Sequence, residues 1–83
     1  MADLIETTEQ LESLLRLVSE ESEAAVVRDR LLRPWLVVED IYGEFFAYSY
    51  PTEGEVAGRE RAEDLLTPLE VLHRPGKTVA ADE

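Results

Sequence analysis

The sequence contains no cysteine in its 83 residues. Disulfide bonds and thiolate metal sites are therefore excluded, and side-chain packing must supply the stability of the fold. A chain of this length forms one domain and buries only about 60% of the surface that its unfolded form exposes. Because such a core is marginal, we expect it to gain stability from a second copy of the chain or from another protein.

Long apolar runs are also missing. No stretch approaches the roughly 20 residues that a membrane-spanning helix requires. Residues 1–10, MADLIETTEQ, hold acidic side chains where a secretory signal peptide has a basic region followed by an apolar run. We therefore expect a soluble, cytoplasmic protein without a membrane partner.

Basic residues are scarce. Eight lysines and arginines stand against 19 aspartates and glutamates, which gives a formal net charge of -11. This charge repels phosphate backbones, so direct nucleic-acid binding is disfavoured. Two interpretations remain: the carboxylates serve solubility, or they imitate the phosphates of a nucleic acid and make the chain a decoy that inhibits a nucleic-acid-binding protein.

Signatures of catalysis and of cofactor binding are lacking. His73 is the single histidine, and the four glycines are scattered and form no phosphate-binding loop. Glu39, Asp40 and Glu44 gather near one turn, but they lack the alternating acids of a calcium-binding loop, and acids beside a turn are ordinarily solvated. We expect no catalytic residue, no cofactor and no metal.

The first organised segment is a helix that begins after Thr7. Thr7 and Gln10 have the spacing of a capping box, in which each side chain bonds the backbone of the other. The apolar residues that follow recur at intervals of three and four, which places them on one stripe of an amphipathic helix. These residues are Leu11, Leu14, Leu15 and Val18.

Residues 24–32 are ambiguous between strand and helix because their apolar run lacks a clear alternation. Glutamates precede the segment and arginines lie toward its end, an order that the helix dipole favours, and Pro34 disfavours helix at the residue before it. We predict a second helix that ends near Leu32, after a break within residues 19–22. One face of it carries Ala25, Val26, Asp29 and Leu32. A single continuous helix is the alternative.

Every aromatic side chain lies within residues 35–50. The pattern indicates a strand, a turn and a strand. Asp40 and Gly43 have the positions of a type I turn, and we expect a positive φ at Gly43. The resulting hairpin has two apolar faces. One carries Leu36, Val38, Phe46 and Tyr48, and the other carries Trp35, Val37, Phe45 and Ala47.

The remaining chain gives weaker signals. A short helix is predicted around residues 59–66 and a third strand within residues 69–74, and the small, polar residues 75–83 indicate a flexible C-terminal tail. We therefore predict a single α+β domain over residues 1–74. In it, N-terminal amphipathic helices pack on a small antiparallel sheet centred on the hairpin of residues 35–50.

The two apolar faces of the hairpin lead to the functional hypothesis. The helices can cover only one of them, so the other needs a partner. We expect a non-enzymatic interaction or regulatory protein that acts as a homodimer or on a larger protein, through a surface formed by Trp35, Val37, Phe45 and Ala47. The acidic decoy is the first alternative. The second is a small enzyme of unknown reaction that places a tyrosine beside a carboxylate.

Overall fold

A computed structural model describes residues 3–49 and 58–76. These residues form one α-helix and six strands, so the domain is mixed α+β but mostly sheet. The elements in chain order are β1 (Leu4–Ile5), α1 (Thr8–Glu21), β2 (Ala25–Arg28), β3 (Pro34–Glu39), β4 (Phe45–Ser49), β5 (Arg59–Arg61), a short 3-10 helix (Ala62–Asp64) and β6 (Leu69–His73).

The capping box that the sequence predicts at the start of α1 is confirmed. The backbone N–H of Gln10 donates to Oγ1 of Thr7 at 3.1 Å, and the N–H of Thr7 donates to Oε1 of Gln10 at 3.0 Å. The predicted stripe is confirmed as well, since Leu11, Leu14 and Val18 are buried and Leu15 packs against the core. α1 therefore lies with its apolar side on the sheet.

The helix ends at Ser22, which adopts the left-handed conformation with φ 52°. The N–H of Glu23 then donates to the carbonyl oxygen of Val18 at 3.3 Å. This bond satisfies a carbonyl that the end of the helix would otherwise leave unpaired. The chain reverses here and enters the sheet.

The predicted second helix is wrong, because β2 and a tight turn occupy residues 24–32. Ala25 and Val27 are fully buried, whereas Val26 and Arg28 between them are half-buried. That alternation of period two belongs to a strand. Three residues of the charge order that favours a helix form separate contacts in the sheet instead: Glu23 with His73, Arg28 with Glu70 and Arg33 with Asp29.

The turn between β3 and β4 is confirmed. Gly43 has φ 80°, and its N–H donates to the carbonyl oxygen of Asp40 at 3.1 Å. Oδ1 of Asp40 accepts bonds of 2.9 Å from the N–H groups of Tyr42 and Glu44. The hairpin faces are confirmed too, because Leu36 pairs with Tyr48 across the ladder.

The turn between β2 and β3 repeats this pattern of hydrogen bonds. Oδ1 of Asp29 accepts bonds of 2.9 Å from the N–H groups of Leu31 and Arg33. Leu32 takes the place that Gly43 has in the other turn, with φ 65°. A leucine in this conformation is strained, so the turn depends on the hydrogen bonds to Asp29.

The C-terminal part contains β5, the 3-10 helix and β6. The predicted short helix around residues 59–66 is reduced to the single turn Ala62–Asp64, and β5 occupies the residues before it. The predicted third strand is confirmed as β6. The domain limit at residue 74 is not tested, since residues 77–83 of the predicted tail lie outside the described residues.

All pairs of neighbouring strands are antiparallel, and the strand order is β1-β6-β2-β3-β4-β5. The core lies between one face of this sheet and α1. Its largest fully buried side chains include Ile5, Leu14, Val27, Val37 and Leu69. On that side α1 packs on β3, and the 3-10 helix, with its buried Ala62, packs beside β4.

Candidate interaction surface

α1 divides the sheet into a covered and an uncovered face. Trp35 and Val37 of β3 lie on the covered side and are 3% and 1% exposed. Leu36 and Val38 alternate with them, point the opposite way and are half-buried. Among the described elements, none packs on the side of the sheet that carries Leu36.

The four residues predicted as an interaction surface lie on the covered face. Trp35, Val37 and Ala47 are core residues, and Phe45 packs against them. The chain's own core therefore covers these side chains, with α1 packed on β3 and the 3-10 helix on β4, and the side available to another molecule is the opposite one. Strand periodicity separates the two faces but carries no signal for the one on which the helix lies.

We call the uncovered side of the sheet the open face. An antiparallel sheet with one solvated face ordinarily carries polar side chains at its outward positions. Four strands here place apolar residues at those positions, and a contiguous apolar surface marks an interaction site. The residues are Val26, Leu36, Val38, Phe46, Tyr48 and Leu72. Tyr48 is 38% and Leu72 49% exposed.

Two arginines of β5 lie over the aromatic side chains of the open face. The guanidinium carbon of Arg59 is 4.1 Å from the centre of the Phe46 ring and 6.0 Å from that of Tyr48. The guanidinium carbon of Arg61 is 5.4 Å from the centre of the Phe46 ring, and Nη1 of Arg61 lies 3.4 Å from Oε1 of Glu44. Arginine and aromatic side chains are enriched where proteins bind one another. These contacts are worth about 0.5–1 kcal/mol each at exposed positions.

An ion pair joins β2 to β6 on the same face. Nε of Arg28 lies 3.1 Å from Oε1 of Glu70, and Nη2 of Arg28 contacts the same oxygen. The strands thus place Arg28, Arg59 and Arg61 on the open face, where Arg28 is paired with Glu70 and Arg61 with Glu44 at the adjoining turn. The open face therefore lacks the excess of acidic groups that gives the protein its formal net charge of -11.

The opposite side of the domain is acidic. The exposed positions of α1 include four glutamates and one arginine, so the helix presents negative charge to solvent. The two sides thus differ in polarity and in the density of negative charge. Apolar side chains are also exposed in the two turns of the hairpins: Leu32 is 70%, Ile41 90% and Tyr42 81% exposed.

Asp29 is the buried charged residue of the core region, with 2% of its surface exposed. Oδ2 accepts a bond of 2.9 Å from Nε of Arg33 and one of 3.0 Å from Nε1 of Trp35. Burial by itself raises the pKa of this carboxyl, but the hydrogen bonds from Arg33 and Trp35 outweigh it and hold the pKa below its ordinary value of 3.8. With both oxygens occupied, Asp29 holds the turn together.

Glu23 forms the other polar cluster. Oε2 of Glu23 lies 2.6 Å from Nε2 of His73, and Oε1 accepts a bond of 3.2 Å from the N–H of Gly76. The hydrogen bond with His73, followed by that from Gly76, lowers the pKa of the Glu23 carboxyl. The pair ties the end of β6 to the segment between α1 and β2, which is a structural role.

Two shallow grooves lie beside these clusters. One, of about 280 Å³, lies at the C-terminal end of α1, and the other, of about 180 Å³, lies beside Arg28 and Glu70. The carboxylate of Glu23 in the first groove is already bonded to His73. Within residues 3–49 and 58–76, no three His, Cys, Asp or Glu side chains are grouped to hold a metal ion.

Comparison with known proteins identifies no relative of this chain. No family model, no curated protein and no solved structure matches the chain. In the described part of the chain, no helix has the length and the apolar character that crossing a membrane demands.

Proposed function

We propose that this protein is a small, non-enzymatic interaction protein that works as a homodimer, and that the open face forms the dimer interface. The observation that carries the proposal is the outward side of β3. This central strand places Leu36 and Val38 where a solvated sheet would carry polar side chains. A second copy of the same face offers the matching apolar surface, because a two-fold interface is formed by one patch on both subunits.

The area of the open face limits the affinity of the dimer. Five strands spaced about 4.8 Å apart and five residues long give a footprint of roughly 20 by 15 Å on each copy. That area is well below the about 800 Å² that each partner buries in a standard stable interface. After the cost of association is subtracted, we expect a dissociation constant on the order of micromolar.

Charge determines how salt affects this dimer. The shortest extent of the molecule is 25 Å, and two net charges of -11 at that separation repel by roughly 20 kcal/mol in water without salt. At physiological ionic strength the Debye length of about 8 Å removes most of this repulsion. Exposed ion pairs within the interface contribute only about 0–1 kcal/mol each, so the screening of the repulsion dominates. Association should therefore strengthen as salt is added.

Sedimentation velocity of the wild-type chain in low-salt and in physiological-salt buffer tests the proposal. We expect monomers at low salt and dimers at physiological salt, at concentrations of tens of micromolar. A chain that stays monomeric in both buffers would overturn the homodimer. The acidic decoy has the opposite signature, because its binding to a basic protein weakens as salt is added.

A further inference from the structure

We propose that the two copies pair with β3 lying over β3 of the partner, on a two-fold axis parallel to the strands, so that Arg59 of β5 contacts Glu70 of the partner. The arrangement presupposes the homodimer proposed above and adds the orientation of its two copies.

The strand order is the first support. β3 has β2 and β4 as neighbours, and beyond them lie β6 on one side and β5 on the other. A two-fold axis along β3 therefore places β4 over β2 of the partner, and β5 over β6 of the partner. Each of these contacts occurs twice, as the symmetry of such an interface requires.

The charges on the open face are the second support. Arg59 and Arg61 lie at one side of the open face on β5, and Glu70 lies at the other side on β6. An axis parallel to the strands keeps each residue at its level along them, so Arg59 lies two residues, about 7 Å, from the level of the partner's Glu70 and within reach of its carboxylate. Arg61 lies two residues further away and is paired with Glu44. An axis perpendicular to the strands would place β5 over β5 instead, and like charges would face each other.

The carboxylate of Glu70 can accept a further hydrogen bond. Both bonds from Arg28 end on its Oε1, and its side chain is 33% exposed. Among the described residues, no bond to Oε2 of Glu70 and no ion pair of Arg59 is formed. A guanidinium approaching from above the sheet can therefore bond Oε2 without breaking the pair with Arg28.

The apolar centre fits the same arrangement. Leu36 and Val38 meet their own copies at the axis, where no charged side chain of the open face intervenes. The ring of Tyr48 lies over β2 of the partner at the level of the smaller Val26, and that of Phe46 lies two residues further along, at the level of Ala24 just before β2. Large side chains thus face smaller ones, which allows two sheets to pack about 10 Å apart.

Site-directed cross-linking tests the arrangement, since the natural chain has no cysteine to interfere. The reagent is a bis-maleimide whose reach matches the about 10 Å between packed sheets. Leu72→Cys alone should not cross-link, because the two copies of β6 are roughly 19 Å apart laterally. A mixture of Leu72→Cys with Arg59→Cys should give a cross-linked dimer, because β5 lies over β6 of the partner.

A cross-link between two Leu72→Cys chains would overturn the arrangement, as would the absence of any cross-link in the mixture while the chains sediment as dimers. A monomeric wild type would instead refute the homodimer itself, so the two failures are distinguishable. As a second measurement, Arg59→Glu should raise the dissociation constant of the dimer by about tenfold or more. Unchanged affinity in this variant would contradict the contact with Glu70.

Discussion

The indole nitrogen Nε1 of Trp35 donates a hydrogen bond of 3.0 Å to Oδ2 of Asp29 inside the core. This bond joins the first residues of the central strand to the turn that precedes it. It holds the indole on the side of the sheet that α1 covers. Because side chains alternate along a strand, Leu36 is then directed to the open face.

Replacing Asp29 with asparagine should destabilise the protein by about 2 kcal/mol. The carbonyl oxygen of asparagine can still accept the bonds from the N–H groups of Leu31 and Arg33. Its amide nitrogen, however, would face two donors, Nε of Arg33 and Nε1 of Trp35. Urea denaturation gives the free energy of unfolding. A change below about 0.5 kcal/mol would show that these bonds contribute little to stability.

Acid should destabilise the protein through the carboxyls of Asp29 and Glu23. Both have pKa values below their ordinary 3.8 and 4.5 in the folded chain, so the unfolded chain binds protons first as the pH falls. Their stabilisation is complete above the unfolded values and is lost as the pH falls through the folded ones. Urea denaturation between about pH 6 and pH 3 should show a shallower decline for Asp29→Asn and for Glu23→Gln than for wild type. Identical slopes in all three chains would be evidence against this account.

Leu32→Gly should stabilise the protein by up to about 1 kcal/mol. The substitution relieves the left-handed conformation at φ 65°, and the side chain that it removes is 70% exposed. Gly43→Leu is the reverse substitution at the equivalent position of the other turn, and it should destabilise the protein by more than about 1 kcal/mol. Thermal or urea denaturation checks both. Effects of the same sign would mean that the two turns are not equivalent.

The two turns also show what the sequence can and cannot predict. Asp40 and Gly43 carry the expected residues for their positions, and the turn follows from them. Asp29 has the same role, but Leu32 stands where glycine is expected, so the residues give no signal for a turn. The charge order around residues 24–32 then favoured a helix. β1 is beyond local prediction as well, because its pairing with β6 joins distant parts of the chain.

The candidate surface was partly accessible to prediction. Strand periodicity and the Gly43 turn assign each side chain of β3 and β4 to one of two faces, and the ladder confirms the assignment. The side on which the helix packs depends on contacts between distant segments, such as Trp35 with Asp29, and on the path of β2. The position of Arg59 and Arg61 over Phe46 depends on the pairing of β5 with β4, and no pattern in residues 59–61 predicts a strand there.

Lysine substitutions at two neighbouring residues of β3 test which face of the sheet each side chain lies on. Val37→Lys buries a charge without a partner and should cost about 4 kcal/mol or more. Leu36→Lys places the same side chain on the open face and should cost the monomer about 1 kcal/mol or less, because the lysine stem can lie along the sheet and its amine can reach water. Urea denaturation followed by circular dichroism gives the free energy of unfolding of both variants. Equal losses of stability in the two variants would mean that both side chains lie in the core.

Sedimentation equilibrium of Leu36→Lys at physiological salt, beside wild type and Ser13→Lys, tests the central claim most directly. Ser13 is exposed on α1, away from the sheet, and both variants change the net charge equally. The homodimer through the open face predicts that wild type and Ser13→Lys form dimers at tens of micromolar, whereas Leu36→Lys remains a folded monomer. Dimers of Leu36→Lys as stable as those of wild type would contradict it.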